Sequence, residues 1–221
     1  MAIAHYTDNP SVFPLEGGCS CGYLRYRVEK APMVVHCCHC TACQRELGAA
    51  FTISLIIEAA NLSMLPPRSP AIPAYPDEPD AFPAAGPDLS STTKLAAGGQ
   101  KDAVDFLKFP IPQESGEAQV VTRCPKCSIT VWTVYPNSGP SVKLVRGGTL
   151  DRAWLVEPDL HLYVRSKRSF FKIEDGKPQF RAGYDRNAVW RKESLERWAK
   201  ISLQVEEHKE KLKENPFYQV E

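Results

Sequence analysis

Hydrophobic and polar residues alternate over short stretches from about residue 17 onward. Leu24, Tyr26 and Val28 fall on one face of an extended chain and Tyr23, Arg25 and Arg27 on the other, the two-residue period of a half-buried antiparallel strand. The same pattern predicts strands from Phe51 to Ile57, Ala118 to Arg123, Val131 to Tyr135, Val142 to Val145, Leu160 to Arg165 and Phe170 to Ile173. The body of the chain therefore reads as mainly β.

Two segments break this pattern. From about residue 65 to 100, eight prolines between Pro66 and Pro87 are followed by Ser90, Ser91, Thr92 and Thr93 and by Gly98 and Gly99. Such a stretch can neither pair in a central strand nor continue a helix. It reads either as an irregular insertion, on the surface or overhanging a site, or as a flexible linker. Near the end, Leu195, Trp198, Ile201, Val205, His208 and Leu212 recur at three- and four-residue steps among Glu, Lys and Arg. This predicts an amphipathic helix over 192–214 whose apolar stripe packs either on the β body or against a second subunit of a homodimer.

Composition narrows the classes of function. With 27 basic against 26 acidic side chains and a formal net charge of +1, the chain has no large field to hold nucleic acid or a membrane surface. No apolar stretch approaches the roughly 20 residues that span a bilayer. Met1 to Pro14 lacks a charged start followed by a long apolar run, so the expected compartment is the reducing cytoplasm.

That expectation bears on the eight cysteines, which fall as Cys19-x-Cys21, Cys37-Cys38-x-Cys40-x-x-Cys43 and Cys124-x-x-Cys127. Four disulfides would satisfy an even count, but clustered cysteines in a reducing setting favour metal. Pairs two and three positions apart each supply half of a tetrahedral zinc site. Cys19 and Cys21 would thus meet Cys124 and Cys127 across the fold to close one four-thiolate site. Cys38, Cys40 and Cys43 supply three thiolates and leave a fourth position for a ligand to be exchanged, as catalytic zinc does. The other reading makes this second site structural, closed by Cys37, His36 or His39. Neighbouring side chains on a strand point to opposite faces, which makes Cys37 the poorest of these candidates.

Other residues suggest roles around such a site. His39 within the knuckle and His161 on the late strand have the pKa range needed for proton transfer. Either can equally serve as a structural histidine bonded to backbone. Arg45, just after the third cysteine of the second group, could grip a substrate carboxylate or lie solvated beside Glu46. Asp151 reads as a turn residue.

Taken together, the stretches Gly18-Cys19-Ser20-Cys21-Gly22, Cys38-His39-Cys40-Thr41-Ala42-Cys43-Gln44-Arg45 with Gly48 and Phe51, and Arg123-Cys124-Pro125-Lys126-Cys127 resemble the glutathione-dependent formaldehyde-activating enzyme family, which also includes centromere protein V. Gly148-Thr149-Leu150-Asp151 and Pro158-Asp159-Leu160-His161 match its later landmarks. The resemblance implies a zinc-binding domain over 14–180 with a β-tent-like fold of small antiparallel sheets, and the helical periodicity adds an extension over 184–221 beyond it. It also implies two zinc ions, a structural one on Cys19, Cys21, Cys124 and Cys127 and another on Cys38, Cys40 and Cys43.

The family's namesake reaction joins glutathione to formaldehyde as S-(hydroxymethyl)glutathione, so the resemblance implies a zinc-dependent carbon-sulfur lyase acting on a small-molecule thiol or thioether, glutathione among them. This chain departs from the family in the long path between Cys43 and Cys124, in Ser169-Phe170-Phe171 where the family tends to have tryptophan, and in its C-terminal helix. These departures keep two alternatives open. One is an enzyme on the same scaffold remodelled for a bulkier metabolite, using zinc as a Lewis acid for dehydration or isomerisation. The other is a non-enzymatic interaction module, for which the expected long basic tail is missing.

Overall fold

A computed structural model describes residues 5–68, 106–113 and 118–214. From residue 69 onward the predicted proline-rich insertion lies outside the described residues, as does the C-terminal extension beyond 214.

The described chain is mainly β, with two sheets and a C-terminal helix. Strands β1 (Leu15–Gly18), β2 (Arg25–Val28) and β5 (Leu62–Leu65) form a three-stranded antiparallel sheet in the order β1-β2-β5. Strands β3 (Val34–Cys38), β4 (Thr52–Glu58), β6 (Leu107–Pro112), β7 (Ala118–Arg123), β8 (Thr130–Val134), β9 (Val142–Arg146) and β10 (Leu160–Leu162) form a larger one. Its order is β10-β3-β4-β9-β8-β7-β6. The expectation of small antiparallel sheets needs correction here, because this sheet has seven strands and β10 runs parallel to β3. Pro110 and Pro112 sit on β6, which lies at the sheet edge where a missing N–H costs no ladder bond.

Side-chain alternation divides the large sheet into two faces. Val35, Leu55 and Ile57 turn toward the small sheet and meet Leu15, Leu24, Tyr26 and Val28 in the main core. Val34, Ile56 and Val142 turn the other way and meet Tyr184, Trp190, Trp198 and Ile201. Trp198 and Ile201 belong to α3 (Lys192–Glu214), and the short α2 (Arg186–Val189) leads into it. The helix stripe thus packs on its own β body. Its fixed points are Ser194 Oγ donating to Met33 O at 2.5 Å and the Arg197 guanidinium on Glu58, with Nε to Oε1 at 2.7 Å. Farther along, His208 lies against Gly139, where a β-carbon would come within 2.7 Å of its ring, so only glycine allows this approach. Gly139 also adopts a φ of 60°, which glycine tolerates best.

Several local expectations are corrected. The late strand ends at Leu162 because Tyr163 turns the chain with a φ of 56°, and 170–173 forms no strand. Residues 41–47 form a helix, α1 (Thr41–Leu47), capped at its N-terminus by the Cys40 sulfur, which accepts from Cys43 N. Arg25, expected on the polar face of β2, is fully buried because Asp151 binds its guanidinium at both ends, with Nη1 to Oδ1 at 2.8 Å. Asp151, itself only half-buried, is therefore the ion-pair partner of a buried arginine as well as a turn residue.

Candidate functional site: two cysteine groups and a pocket

The first two cysteines lie on the turn between β1 and β2, which reverses at Gly22 with a φ of 72°. The last two lie on the turn between β7 and β8, which reverses at Ser128 with a φ of 61°. The sulfurs of Cys19, Cys21, Cys124 and Cys127 all lie within 4.8 Å of one another. Cys19 Sγ and Cys21 Sγ are 3.5 Å apart, and Cys21 Sγ and Cys124 Sγ are 3.7 Å apart.

Backbone amides aim at these sulfurs. Leu24 N donates to Cys19 Sγ at 3.2 Å, and the amides of Tyr23, of Lys126 and Cys127, and of Ile129 serve Cys21, Cys124 and Cys127. Burial pushes the Cys124 thiol up to about 11. Burial also acts against ionisation of Cys127, yet the hydrogen bonds it accepts from backbone and neighbouring thiols outweigh it and lower its pKa. A set of four sulfurs, one already biased toward thiolate and each met by N–H donors, fits a tetrahedral soft cation.

The second group forms where β3 runs into α1. Cys38, Cys40 and Cys43 place their sulfurs within 4.8 Å of one another, and Cys43 N donates to Cys40 Sγ at 3.3 Å. Hydrogen bonds with Cys40 and Cys43, and then burial, raise the Cys38 thiol pKa strongly. Cys43 is lowered by its bond from Cys38 but raised more by Cys40 and burial, and stands at about 11. Arg146 works against that rise. Three crowded thiols that hinder one another's ionisation are a donor set that a bound cation would relieve.

These sulfurs lie in a pocket of about 320 Å³ on the α3 side of the large sheet. Strand period explains who shares it. His36 and Cys38 on β3, and Ser54 and Ile56 on β4, alternate to the same face. Arg146, at the end of β9, reaches Ser54 Oγ from Nη1 at 3.1 Å and Glu46 Oε2 from Nη2 at 3.0 Å. The Glu46 carboxylate is fully enclosed and also accepts from Thr130 Oγ1 at 2.5 Å. Tyr135 keeps its proton well above the usual range, through burial and then through the thiol charges of Cys43, Cys38 and Cys40. Desolvation holds His36 neutral, with a pKa down to about 3. His36 Nε2 meets Tyr184 Oη, which accepts from Trp190 Nε1 at 2.7 Å. Because indole only donates, the Tyr184 hydroxyl is left free to donate to His36.

The other expected residues lie elsewhere. His39 and His161 do not line this pocket; they meet each other on the opposite face of β3, Nε2 to Nδ1 at 3.0 Å. Arg45 is exposed on α1, in a shallow cleft with Arg168 and Phe170. Glu46 beside it serves Arg123 and Arg146 instead. Asp159 accepts from Val35 N at 2.7 Å and from Tyr6, and so ties the N-terminal residues to β3. Ser54, Tyr135, Arg146, Tyr184 and Trp190 carry no site signal in the sequence, and Trp198 reads there only as part of the apolar stripe of the helix. Among the non-cysteine residues of the pocket, His36 alone is weighed at this cysteine group from the sequence, standing two positions before Cys38. The rest reach the pocket from four separate parts of the chain.

Fold and site define a mainly β protein with cysteine groups able to hold metal ions. Residues 14–71 match the family model described as glutathione-dependent formaldehyde-activating enzyme, which supports the resemblance carried by the cysteine spacing. The matched span holds the first and second cysteine groups, whereas Cys124, Cys127 and the aromatic wall of the pocket lie beyond it. No curated protein matches the chain. Members of that family are enzymes, which is consistent with an enzyme here. Among the described residues no helix is long and apolar enough to cross a membrane.

Proposed function

We propose that this chain is a zinc-dependent enzyme acting on a small-molecule thiol or thioether, forming or cleaving a thiol-aldehyde adduct as a carbon-sulfur lyase. One observation carries the reading: the three-sulfur group stands in a pocket large enough for a metabolite, while the four-sulfur group is closed by its own backbone. Cys38, Cys40 and Cys43 would hold the catalytic ion, and Cys19, Cys21, Cys124 and Cys127 a structural one. Bound zinc would supply a Lewis-acid position suited to a soft sulfur or a carbonyl oxygen.

The chain's own groups then divide the remaining work. Arg146, fixed by Glu46 and Ser54, places a permanent positive charge beside the thiolates and any anionic sulfur that joins them. Tyr135 retains its Oη proton and can donate it to an oxygen in the pocket. Neutral His36, oriented by Tyr184, is the pocket's imidazole. Trp190 and Trp198 exclude water from the opposite wall.

A second reading rests on that wall. Arg186 lies 3.5 Å over the Trp198 ring and 5.2 Å from the Trp190 ring centre, and all three line the pocket. A broad aromatic surface with one stacked cation favours a substrate with a flat apolar body, larger than formaldehyde, for zinc-assisted dehydration or isomerisation.

The test is an adduct assay on zinc-loaded protein. Formation of S-(hydroxymethyl)glutathione from glutathione and formaldehyde, lost in Cys40→Ser, supports the lyase reading. Inactivity there with dehydration of aryl β-hydroxy ketones or isomerisation of aryl α-hydroxy ketones, sensitive to Trp198→Ala, selects the second reading. Inactivity on both sets, with no change in the zinc environment on adding thiol, would overturn both.

A further inference from the structure

The run from His36 to Cys40 carries chemistry on both faces of β3. Cys37 and His39 point away from the pocket, and β10 places His161 in register beside Cys37. Cys37 Sγ lies 3.6 Å from His39 Nε2, which lies 3.0 Å from His161 Nδ1. All three side chains are buried, at 2%, 0% and 3% exposure. None of them has a part in the proposed reaction.

We propose that Cys37, His39 and His161 hold a further metal ion, a thiophilic divalent cation of the zinc type, separate from the two cysteine-only groups. The three donor atoms lie within 4.8 Å of one another. Zinc bonds of about 2.3 Å to sulfur and about 2.0–2.1 Å to nitrogen at tetrahedral angles set a sulfur-nitrogen pair about 3.6 Å apart and a nitrogen pair about 3.3–3.4 Å apart. The observed sulfur-nitrogen separation of 3.6 Å matches, and the nitrogen pair at 3.0 Å is about 0.3 Å closer than the tetrahedral value, so a small outward shift of the imidazoles would seat the ion.

The surroundings of His161 point the same way. Its Nε2 lies 2.8 Å from Asp175 Oδ2, the carboxylate-imidazole arrangement that fixes a tautomer and turns the other ring nitrogen, here Nδ1, toward a metal. Phe51 and Phe171 lie beside the His39 ring, with centroids 5.6 and 6.0 Å away, and shield the donors from water. On binding, the cation replaces the Cys37 thiol proton, which leaves to solvent, and takes the lone pairs of the two imidazoles. A small ligand can fill the fourth position. An enclosed ion that cross-links β3 to β10 would hold the strand end from which Cys38 and Cys40 project on the other face.

Zinc content and zinc X-ray absorption of the full chain test this directly. The two cysteine-only groups contribute sulfur, so imidazole outer-shell scattering reports on the Cys37, His39 and His161 group. We expect three zinc ions per chain with imidazole scattering, and in His161→Ala and Cys37→Ser the loss of one ion of the three. His161→Ala should also weaken the imidazole signal. Two ions in the unmodified protein with no imidazole scattering would overturn the proposal, as would an unchanged imidazole signal in folded His161→Ala. Should both variants fail to fold, the stoichiometry and spectrum of the unmodified chain still decide the matter.

Discussion

The four-cysteine and three-cysteine groups use the same donor atom and are built by opposite means. Around Cys19, Cys21, Cys124 and Cys127 the support is backbone: two tight turns, each reversing at a left-handed residue, with amides directed at sulfur. Around Cys38, Cys40 and Cys43 one backbone amide, Cys43 N, meets Cys40 Sγ, and the rest is side chains, with Arg146 held by Glu46 and Ser54, and with Tyr135 and His36 from separate strands and loops. A backbone cradle suits a site that must only stay closed. A side-chain frame can present charge and protons to a guest, and its elements can be exchanged without dismantling the fold.

The largest effects are expected at the proposed metal ligands. Cys124→Ser removes a sulfur of the proposed closed zinc site, which would join two distant hairpins. Structural zinc contributes apparent free energies of about 10–16 kcal/mol in small metal domains, comparable to the whole stability of a domain at about 5–15 kcal/mol. The expected outcome is loss of cooperative unfolding and release of zinc, followed by circular dichroism and metal analysis. Cys40→Ser should instead keep a cooperative transition and lose activity on whichever substrate the adduct assay identifies. If the two variants behaved alike, the distinction between a closed group and an open one would fail.

A step smaller is the charge frame of the open group. Glu46→Gln leaves the buried Arg146 guanidinium facing a neutral amide, and breaking one partner of a buried pair costs about 3–5 kcal/mol. A drop of that size in urea-derived stability is expected, with the zinc of the four-cysteine group retained. A drop below about 1 kcal/mol, the level of an exposed pair, would mean that Arg146 is held by something other than Glu46.

The same contrast explains what could be read from sequence. The cysteine spacing, the strands over 118–123 and 142–145, and the helix from 192 to 214 express local periodicities, and they stand in the structure at or near those bounds. The parallel pairing of β10 with β3 and the burial of Arg25 against Asp151 depend on residues more than a hundred positions apart. No local pattern encodes them. Strand β3 was missed for another reason: Met33, Val34 and Val35 are apolar in succession because both faces of the strand are covered, so alternation is lost. The pocket is the extreme case, assembled from β3, β4, β9 and the segment after residue 183.

That last segment yields a prediction smaller again. Arg197 fixes α3 to β4 through Glu58 and donates from Nη1 to Ala31 O at 2.8 Å. Burial alone would raise the Glu58 pKa, but the bond and charge of Arg197, with help from the Glu58 amide and Asn61, more than offset it and hold it below the usual value. A lowered carboxylate pKa contributes stability that is present above the unfolded value of about 4.3 and is lost as pH falls through the folded one. Arg197→Met should therefore cost about 1.5–3 kcal/mol at neutral pH, the range for hydrogen bonds to charged groups. The deficit should shrink in acid, once Glu58 is protonated in both proteins. A deficit independent of pH would assign the loss to packing of the arginine stem. Since α3 carries Trp198, weaker turnover of a flat substrate in the same variant would tie the helix to the pocket wall.

The smallest effect belongs to the backbone cradle. Ser128 follows Cys127 with a φ of 61°, a left-handed conformation that a side chain disfavours and glycine accepts. Its N–H closes the turn on Cys124 O at 2.9 Å, a bond that glycine would keep. Ser128→Gly relieves the strain of the left-handed residue, about 1 kcal/mol, but gives the unfolded chain more freedom, which offsets part of the gain. A net stabilisation of a few tenths of a kcal/mol is expected in urea, with slower loss of zinc to a chelator from the four-cysteine group. The corresponding turn after Cys21 already carries glycine at Gly22, so the variant would make the two halves of the cradle alike. Destabilisation instead would show that the Ser128 side chain supports the knuckle, and the claim that this group rests on backbone alone would have to be given up.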